Sequence, residues 1–164
     1  MSRFSTYASR AVLAVAAFAA IAGADLSAYA QSAPNAGRQA VETRQAVLKL
    51  IGNSFRPFGD IAKGAAPYDS AEAQKRLARL SLLADYLKES FPDASNLGEA
   101  ETKAKAEIWT NRADFDKKLG DFQTHIAALT QVSSTDKAAT DGFKTAVAAV
   151  AQDCKGCHET YRAK

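Results

Sequence analysis

Four stretches of this chain place apolar residues at threes, fours and sevens, and no stretch alternates apolar with polar. That periodicity confines the fold to helices. The first stripe is Val41, Leu48, Ile51, Phe55 and Phe58; the second is Leu77, Leu80, Ala84, Leu87 and Phe91. The third is Ile108, Phe115, Leu119, Phe122, Ile126 and Leu129, and the fourth is Phe143, Val147, Val150, Cys154, Cys157 and Tyr161. Each reads as the buried face of an amphipathic helix. Gly64 to Asp69 (with Pro67), Pro92 to Gly98, and Ser133-Ser134-Thr135-Asp136 punctuate them. One residue of the last group is expected to cap the final helix. Helices of about 20 residues joined by modest loops predict an all-α, antiparallel up-down four-helix bundle. Pro57 lies inside the first pattern, where its missing N–H predicts a kink or local break.

The N-terminus reads as an export signal. Arg3 and Arg10 precede an uncharged, mostly apolar run from Ala11 to Gly23, and Ala28-Tyr29-Ala30 offers small residues for a signal peptidase. Cleavage is expected after Ala30, leaving Gln31 first and placing the product in the periplasm. The run is shorter than the ~20 residues of a spanning helix, so a removable leader is expected rather than an anchor. Residues 31–37 form a flexible polar lead-in, and 38–164 are long enough for one domain with its own core. Lysine and arginine total 21 against 18 acidic residues, formally +3, with no basic run. Nothing in that balance points to nucleic acid.

The chain has two cysteines, both in Cys154-Lys155-Gly156-Cys157-His158. C-x-x-C-H is the attachment signature of c-type haem. Two thiols three apart lie on one side of a helical turn, where they can add to the two vinyl groups of one porphyrin edge. The next residue, His158, offers its imidazole as axial ligand to the iron. One covalent haem c is therefore expected, with no thiol left over. Other uses of the pair fit less well. A thioredoxin-like dithiol opens a helix after a strand, where the dipole lowers a thiol pKa; here the pair closes the last helix. A tetrahedral zinc site would need His125 and His158 with both thiols, without local spacing for the second pair. A disulfide three residues apart on a helix is strained.

With that motif in hand, the chain resembles the class II c-type cytochromes, and within them the cytochrome c prime family. The resemblance runs over nearly all of 38–164. It rests on Cys154-Lys155-Gly156-Cys157-His158 through Tyr161-Arg162, on Arg44-Gln45-Ala46-Val47-Leu48, on Ala66-Pro67-Tyr68-Asp69, and on Thr102 through Trp109. Where the family often has proline, this chain has Ala106. The resemblance implies a left-handed bundle, haem near the C-terminal end and homodimers formed through the outer faces of the first two helices. It also implies that Arg44 and Gln45 meet the haem propionates, with Glu101 and Thr102 at the haem edge, and that Arg162 borders the proximal pocket. A lone charge on a buried stripe needs a partner, which suits Arg44 to a propionate.

Low-spin members of the class place a methionine four residues after that arginine; this chain has Leu48 there, and its one methionine is Met1. Five-coordinate, high-spin iron beneath a leucine is therefore expected, with nitric oxide and carbon monoxide as the ligands best tolerated. Such a lid offers no hydrogen bond to a polar ligand. The chain reads as a binder of such gases, a single-electron carrier serving a periplasmic redox partner, or both, rather than an enzyme. Two alternatives stand beside it: a low-spin bis-histidine carrier, for which His125 would turn inward, and a non-haem metal-binding bundle. Trp109 and Tyr161 read as packing residues.

Overall fold

The computed structural model describes residues 36–164. The leader, its cleavage site and residues 31–35 of the lead-in lie outside the described residues. Helix α1 is continuous from 36 to 62. It is followed by α2 (Ser70–Lys88), a 3-10 turn (Asp93–Ser95), α3 (Glu107–Thr110), α4 (Arg112–Thr135) and α5 (Asp141–Tyr161). Among the described residues the only β feature is an isolated antiparallel bridge between Ala104 and Arg162.

The two ends of the molecule reveal the topology. At one end, Tyr68 in the α1–α2 turn donates its hydroxyl to the carbonyls of Ser133 (3.1 Å) and Asp136 (3.3 Å), where α4 turns into α5. The same ring meets Phe143 edge-on at 5.3 Å. At the other end, Arg44 near the start of α1 lies 5.1 Å from the ring of Phe91, just beyond α2. Phe91 then packs on Phe115 of α4 at 4.8 Å, and Phe115 on Tyr161 of α5 at 5.2 Å. Chain neighbours that share alternate ends run antiparallel, so this is the up-down four-helix bundle the periodicity predicts. Its core joins Ile51, Phe58, Leu77, Leu80, Phe122, Leu129, Phe143 and Val150. Each such burial contributes about 1.5–3 kcal/mol.

Several local expectations are corrected. Leu48 is not part of the buried stripe of α1: it is 39% exposed, while Val47 and Arg44 take the inward positions. Pro57 does not break α1. The carbonyl it leaves without an amide donor is that of Asn53, four residues earlier, and Arg76 of α2 donates to that oxygen at 3.4 Å. The third pattern is not one helix, since Asn111 (φ −122°, ψ 51°) separates the single turn of α3 from α4. The Ser133–Asp136 run does not cap the last helix. Ser133 continues the buried face of α4 after Ile126 and Leu129, and packing outweighs its weak helix preference. The cap of α5 is Thr140, which accepts from the Phe143 amide at 3.2 Å and itself donates to Asp136. Finally, residues 36 and 37, expected to be flexible, are helical, and Gly37 is buried. A Cβ at Gly37 would collide with the Ala94 carbonyl of the 3-10 turn.

Candidate haem-binding site

Beside the end where Arg44, Phe91, Phe115 and Tyr161 meet, the helices enclose a cavity of about 550 Å³. That size falls within the range of roughly 300–1,000 Å³ usual for cofactor and small-molecule sites. Its walls are apolar: Ile51 from α1, Leu87 and Phe91 from α2 and beyond, and Phe115, Leu119 and Phe122 from α4. From α5, Cys154, Cys157 and His158 line it together, joined by Tyr161 and Arg162. Helical geometry explains the grouping, since residues three and four apart share a face.

The thiols sit half-buried, without a disulfide between them. Burial is the main cause that pushes Cys154 up to about 11, with the Asp153 carboxylate adding to it, and burial likewise raises Cys157. A dithiol redox catalyst needs the opposite shift. Burial, reinforced by the positive charge of Arg162, lowers the pKa of His158. It therefore favours the neutral imidazole a metal requires. Among the described residues, no three His, Cys, Asp or Glu side chains gather as a metal cluster, so the zinc alternative has no site there.

Arg44 is 1% exposed. Its Nη1 donates to Ser95 Oγ at 2.8 Å and its Nη2 to Thr102 Oγ1 at 2.9 Å, with the Ser95 carbonyl at 3.4 Å from both. The guanidinium lies 5.1 Å from the Phe91 ring and 5.7 Å from the Trp109 ring. All these partners are neutral, and burial depresses its pKa. A buried cation held by hydroxyls and rings, with no carboxylate among the described residues in contact, fits a site that receives anionic groups. The donor set therefore suits haem: two thiols, one neutral imidazole, apolar walls and a buried guanidinium.

Leu48, Gln45 and Thr102 also line the cavity. Leu48 and Gln45 are exposed in the polypeptide alone, while Thr102 is buried. Glu101 does not reach the site: it is exposed and lies 3.9 Å from Arg38, because a carboxylate outside the apolar cavity stays in water. His125 is also outside it. Its Nδ1 lies 2.7 Å from Asp153 Oδ2, on the residue preceding Cys154. Tyr161 packs as expected, and its hydroxyl donates to Asp114 at 2.5 Å. Burial, then that bond, pushes its pKa up to about 12.

Sequence reasoning missed Ser95 and Asp114. Neither belongs to a motif; each is defined by a partner about 50 residues away in sequence. The one available signal was Arg44 itself, a charge at an inward position that must find neighbours.

A helical bundle whose last helix carries C-x-x-C-H along an apolar cavity, opposite a buried arginine, defines a covalent haem protein of the c-type cytochrome class. A family profile described as Cytochrome C' matches residues 39–162. The chain belongs to the cytochrome c' family, and its cofactor is one covalently bound haem c. It is 32% identical over 125 residues to cytochrome c' of Alcaligenes xylosoxydans xylosoxydans, covering 76% of this chain and 94% of that one. It is 34% identical over 141 residues to cytochrome c-554 of Cereibacter sphaeroides, covering 85% and 90%. Among solved structures, cytochrome c prime from Shewanella frigidimarina superposes with a TM-score of 0.71 at 34% identity, covering 78% of this chain and 97% of that one. A ferrous variant of the Alcaligenes xylosoxidans protein with bound NO superposes with a TM-score of 0.70 at 29% identity, covering 78% and 96%.

Proposed function

We propose that this protein is an exported, periplasmic cytochrome whose five-coordinate, high-spin haem binds nitric oxide and carbon monoxide and exchanges single electrons. The observation that carries this reading is a division of the two histidines. His158 lines the cavity with Cys154, Cys157 and Leu48, whereas His125 is paired to Asp153 outside it. A bis-histidine iron would require breaking that pair and turning the ring inward.

When bound, haem supplies an iron that takes up a diatomic gas and changes oxidation state by one electron. The chain's own residues set the terms. Cys154 and Cys157 tether the group, and His158 is its protein ligand. Arg44, with Gln45 and Thr102 beside it, receives the propionates. Leu48, which lines the same cavity as His158, would stand beside a bound neutral diatomic and would give no hydrogen bond to an anion. Arg162, four residues after His158, would border the proximal side, and its charge adds to the burial that lowers the His158 pKa. No described Asp or Glu lines the cavity. Leu48 supplies no proton to a ligand beside it, and the reading is of a gas binder and single-electron carrier.

The outer faces of α1 and α2 receive a second copy. Leu50, Leu82 and Tyr86 are 51%, 74% and 53% exposed there, beside a groove of about 380 Å³ lined by Leu50, Leu82 and Leu83 together with Asn53, Ser54, Arg76 and Arg79. Sedimentation showing only monomer at high concentration would remove this part of the reading.

The deciding experiment is an optical spectrum of the purified reduced protein with and without carbon monoxide. A high-spin spectrum that shifts with the gas is expected. A colourless protein, or a low-spin spectrum indifferent to the gas, would overturn the proposal.

A further inference from the structure

The His125–Asp153 pair takes no part in holding the haem, yet it adjoins the tether. His125 on α4 and Asp153 on α5 meet with Nδ1 at 2.7 Å from Oδ2, and Asp153 immediately precedes Cys154. The pair is lopsided: the aspartate side chain is 14% exposed and the imidazole 41%. The carboxylate is the member shielded from water, and the imidazole is the one open to proton exchange. A buried carboxylate calls for a partner, and among the described residues His125 is the one paired with Asp153.

The bond fixes which ring nitrogen titrates. An ionised carboxylate only accepts hydrogen bonds, so Nδ1 holds its proton toward Asp153 whether the ring is neutral or charged. The proton that comes and goes is therefore on Nε2. With Nε2 bare the pair carries a negative charge; with Nε2 protonated it is neutral. An imidazole makes that change within the physiological range of pH. Its charged neighbours do not. Asp121 stands one turn before His125 on α4 and is bonded to Lys117 at 2.6 Å; that bond chiefly lowers its pKa, and the charges of His125 and Lys118 add to the effect. Lys118 has Asp114 at 4.0 Å, and Lys155 on α5 has Glu159 at 3.8 Å. Carboxylates and ammonium groups keep their charges across the imidazole range. Helix α2 meets α4 on the opposite face, where Gln123 donates to the Ala84 carbonyl at 3.3 Å.

We infer that His125 and Asp153 couple proton uptake to electron uptake: His125 Nε2 gains a proton as the haem gains an electron, so the protein becomes easier to reduce as pH falls. The electron goes to the haem and the proton comes from solvent to Nε2, which offsets beside the tether the charge that reduction adds. The sign follows from Coulomb's law. With His125 neutral, the uncompensated Asp153 carboxylate opposes an added electron; with His125 protonated, the neutral pair does not. By linkage the same coupling appears twice, as a pH-dependent potential and as tighter proton binding in the reduced protein. This rests on the single-electron part of the haem reading above and adds a proton site to it.

Potentiometric titration of the holoprotein from about pH 5 to about pH 8 tests it, with His125→Gln and Asp153→Asn alongside. The parent's midpoint should fall across that range by at least about 28 mV more than that of His125→Gln, a threefold change at about 59 mV per tenfold for one electron. Subtracting the variant removes the titration of the propionates and of any other group common to both. At the alkaline end, Asp153→Asn should be easier to reduce than the parent, by at least about threefold in the same equilibrium. Nuclear magnetic resonance of isotope-labelled histidine gives a readout independent of potentials. The chain has two histidines, so with His158 on the iron the titrating signal is that of His125. It should bind its proton at least about threefold more tightly in the reduced protein than in the oxidised. Equal pH dependence in the parent and His125→Gln, or a His125 proton affinity indifferent to oxidation state, overturns the inference. Should a variant fail to take up haem, the resonance measurement on the unaltered protein decides alone. The carbon monoxide response of the same sample separates the two readings. A gas-responsive spectrum with a potential that ignores His125 refutes the coupling and leaves the haem assignment standing, whereas a colourless protein overturns both.

Discussion

Replacing Arg44 by methionine tests the claim that the cavity brings a carboxylate to this side chain. Arg44 makes two short bonds from a charged donor, to Ser95 Oγ and Thr102 Oγ1, each contributing about 1.5–3 kcal/mol. Its contacts with the Phe91 and Trp109 rings add up to about 2 kcal/mol where water is excluded. Opposing them is the penalty of keeping a guanidinium out of water, itself several kcal/mol. The hydroxyls lose little in the variant. Ser95 Oγ still donates to the Pro92 carbonyl at 2.7 Å, and Thr102 Oγ1 still accepts from the Ala104 amide at 3.2 Å. The sign therefore depends on compensation of the charge. With propionates paired to it, Arg44→Met should destabilise the holoprotein by about 3–5 kcal/mol, the usual cost of breaking a buried pair. The midpoint in urea should then fall by about 2 M. Urea unfolding followed by far-ultraviolet circular dichroism, at equal haem content, measures it. A neutral or stabilised variant is what an uncompensated buried cation gives on replacement by an apolar residue of similar size, and it would refute the reasoning.

Leu48→Met should move the optical spectrum toward low spin and weaken carbon monoxide uptake; an unchanged high-spin spectrum would show that Leu48 does not neighbour the iron. Tyr161 gives an alkaline signature. Its native pKa of about 12 exceeds the ordinary value of about 10, so between these the native state holds a proton the unfolded chain has lost. Stability should fall as pH rises through that window, by up to about 2–3 kcal/mol, and Tyr161→Phe should lack that part of the decline when both are unfolded in urea at pH 9 and above. Gly37→Ala should lower stability by about 1–3 kcal/mol, the usual cost of overpacking, because the new methyl group meets the Ala94 carbonyl; a thermal midpoint equal to that of the parent would show that the turn gives way.

Much of the fold is written locally. Periodic apolar residues force helices because only one face of each can leave water, and the short α1–α2 and α4–α5 turns set those neighbours antiparallel. The C-x-x-C-H spacing needs only one turn of helix to bring Cys154, Cys157 and His158 together, so that part of the site was legible without coordinates. What the tertiary structure decided lies where partners are distant in sequence. Leu48 and Val47 are equally apolar, yet the packing of α1 turned Val47 into the core and left Leu48 at the cavity. Pro57 leaves α1 unbroken, with Arg76 from the next helix donating to the carbonyl it freed. Glu101 and Thr102 are adjacent, but only Thr102 reaches Arg44. His125 could have been a ligand by type, and Asp153 holds it outside. In each case the deciding term is a contact between segments, whose free energy local sequence does not encode.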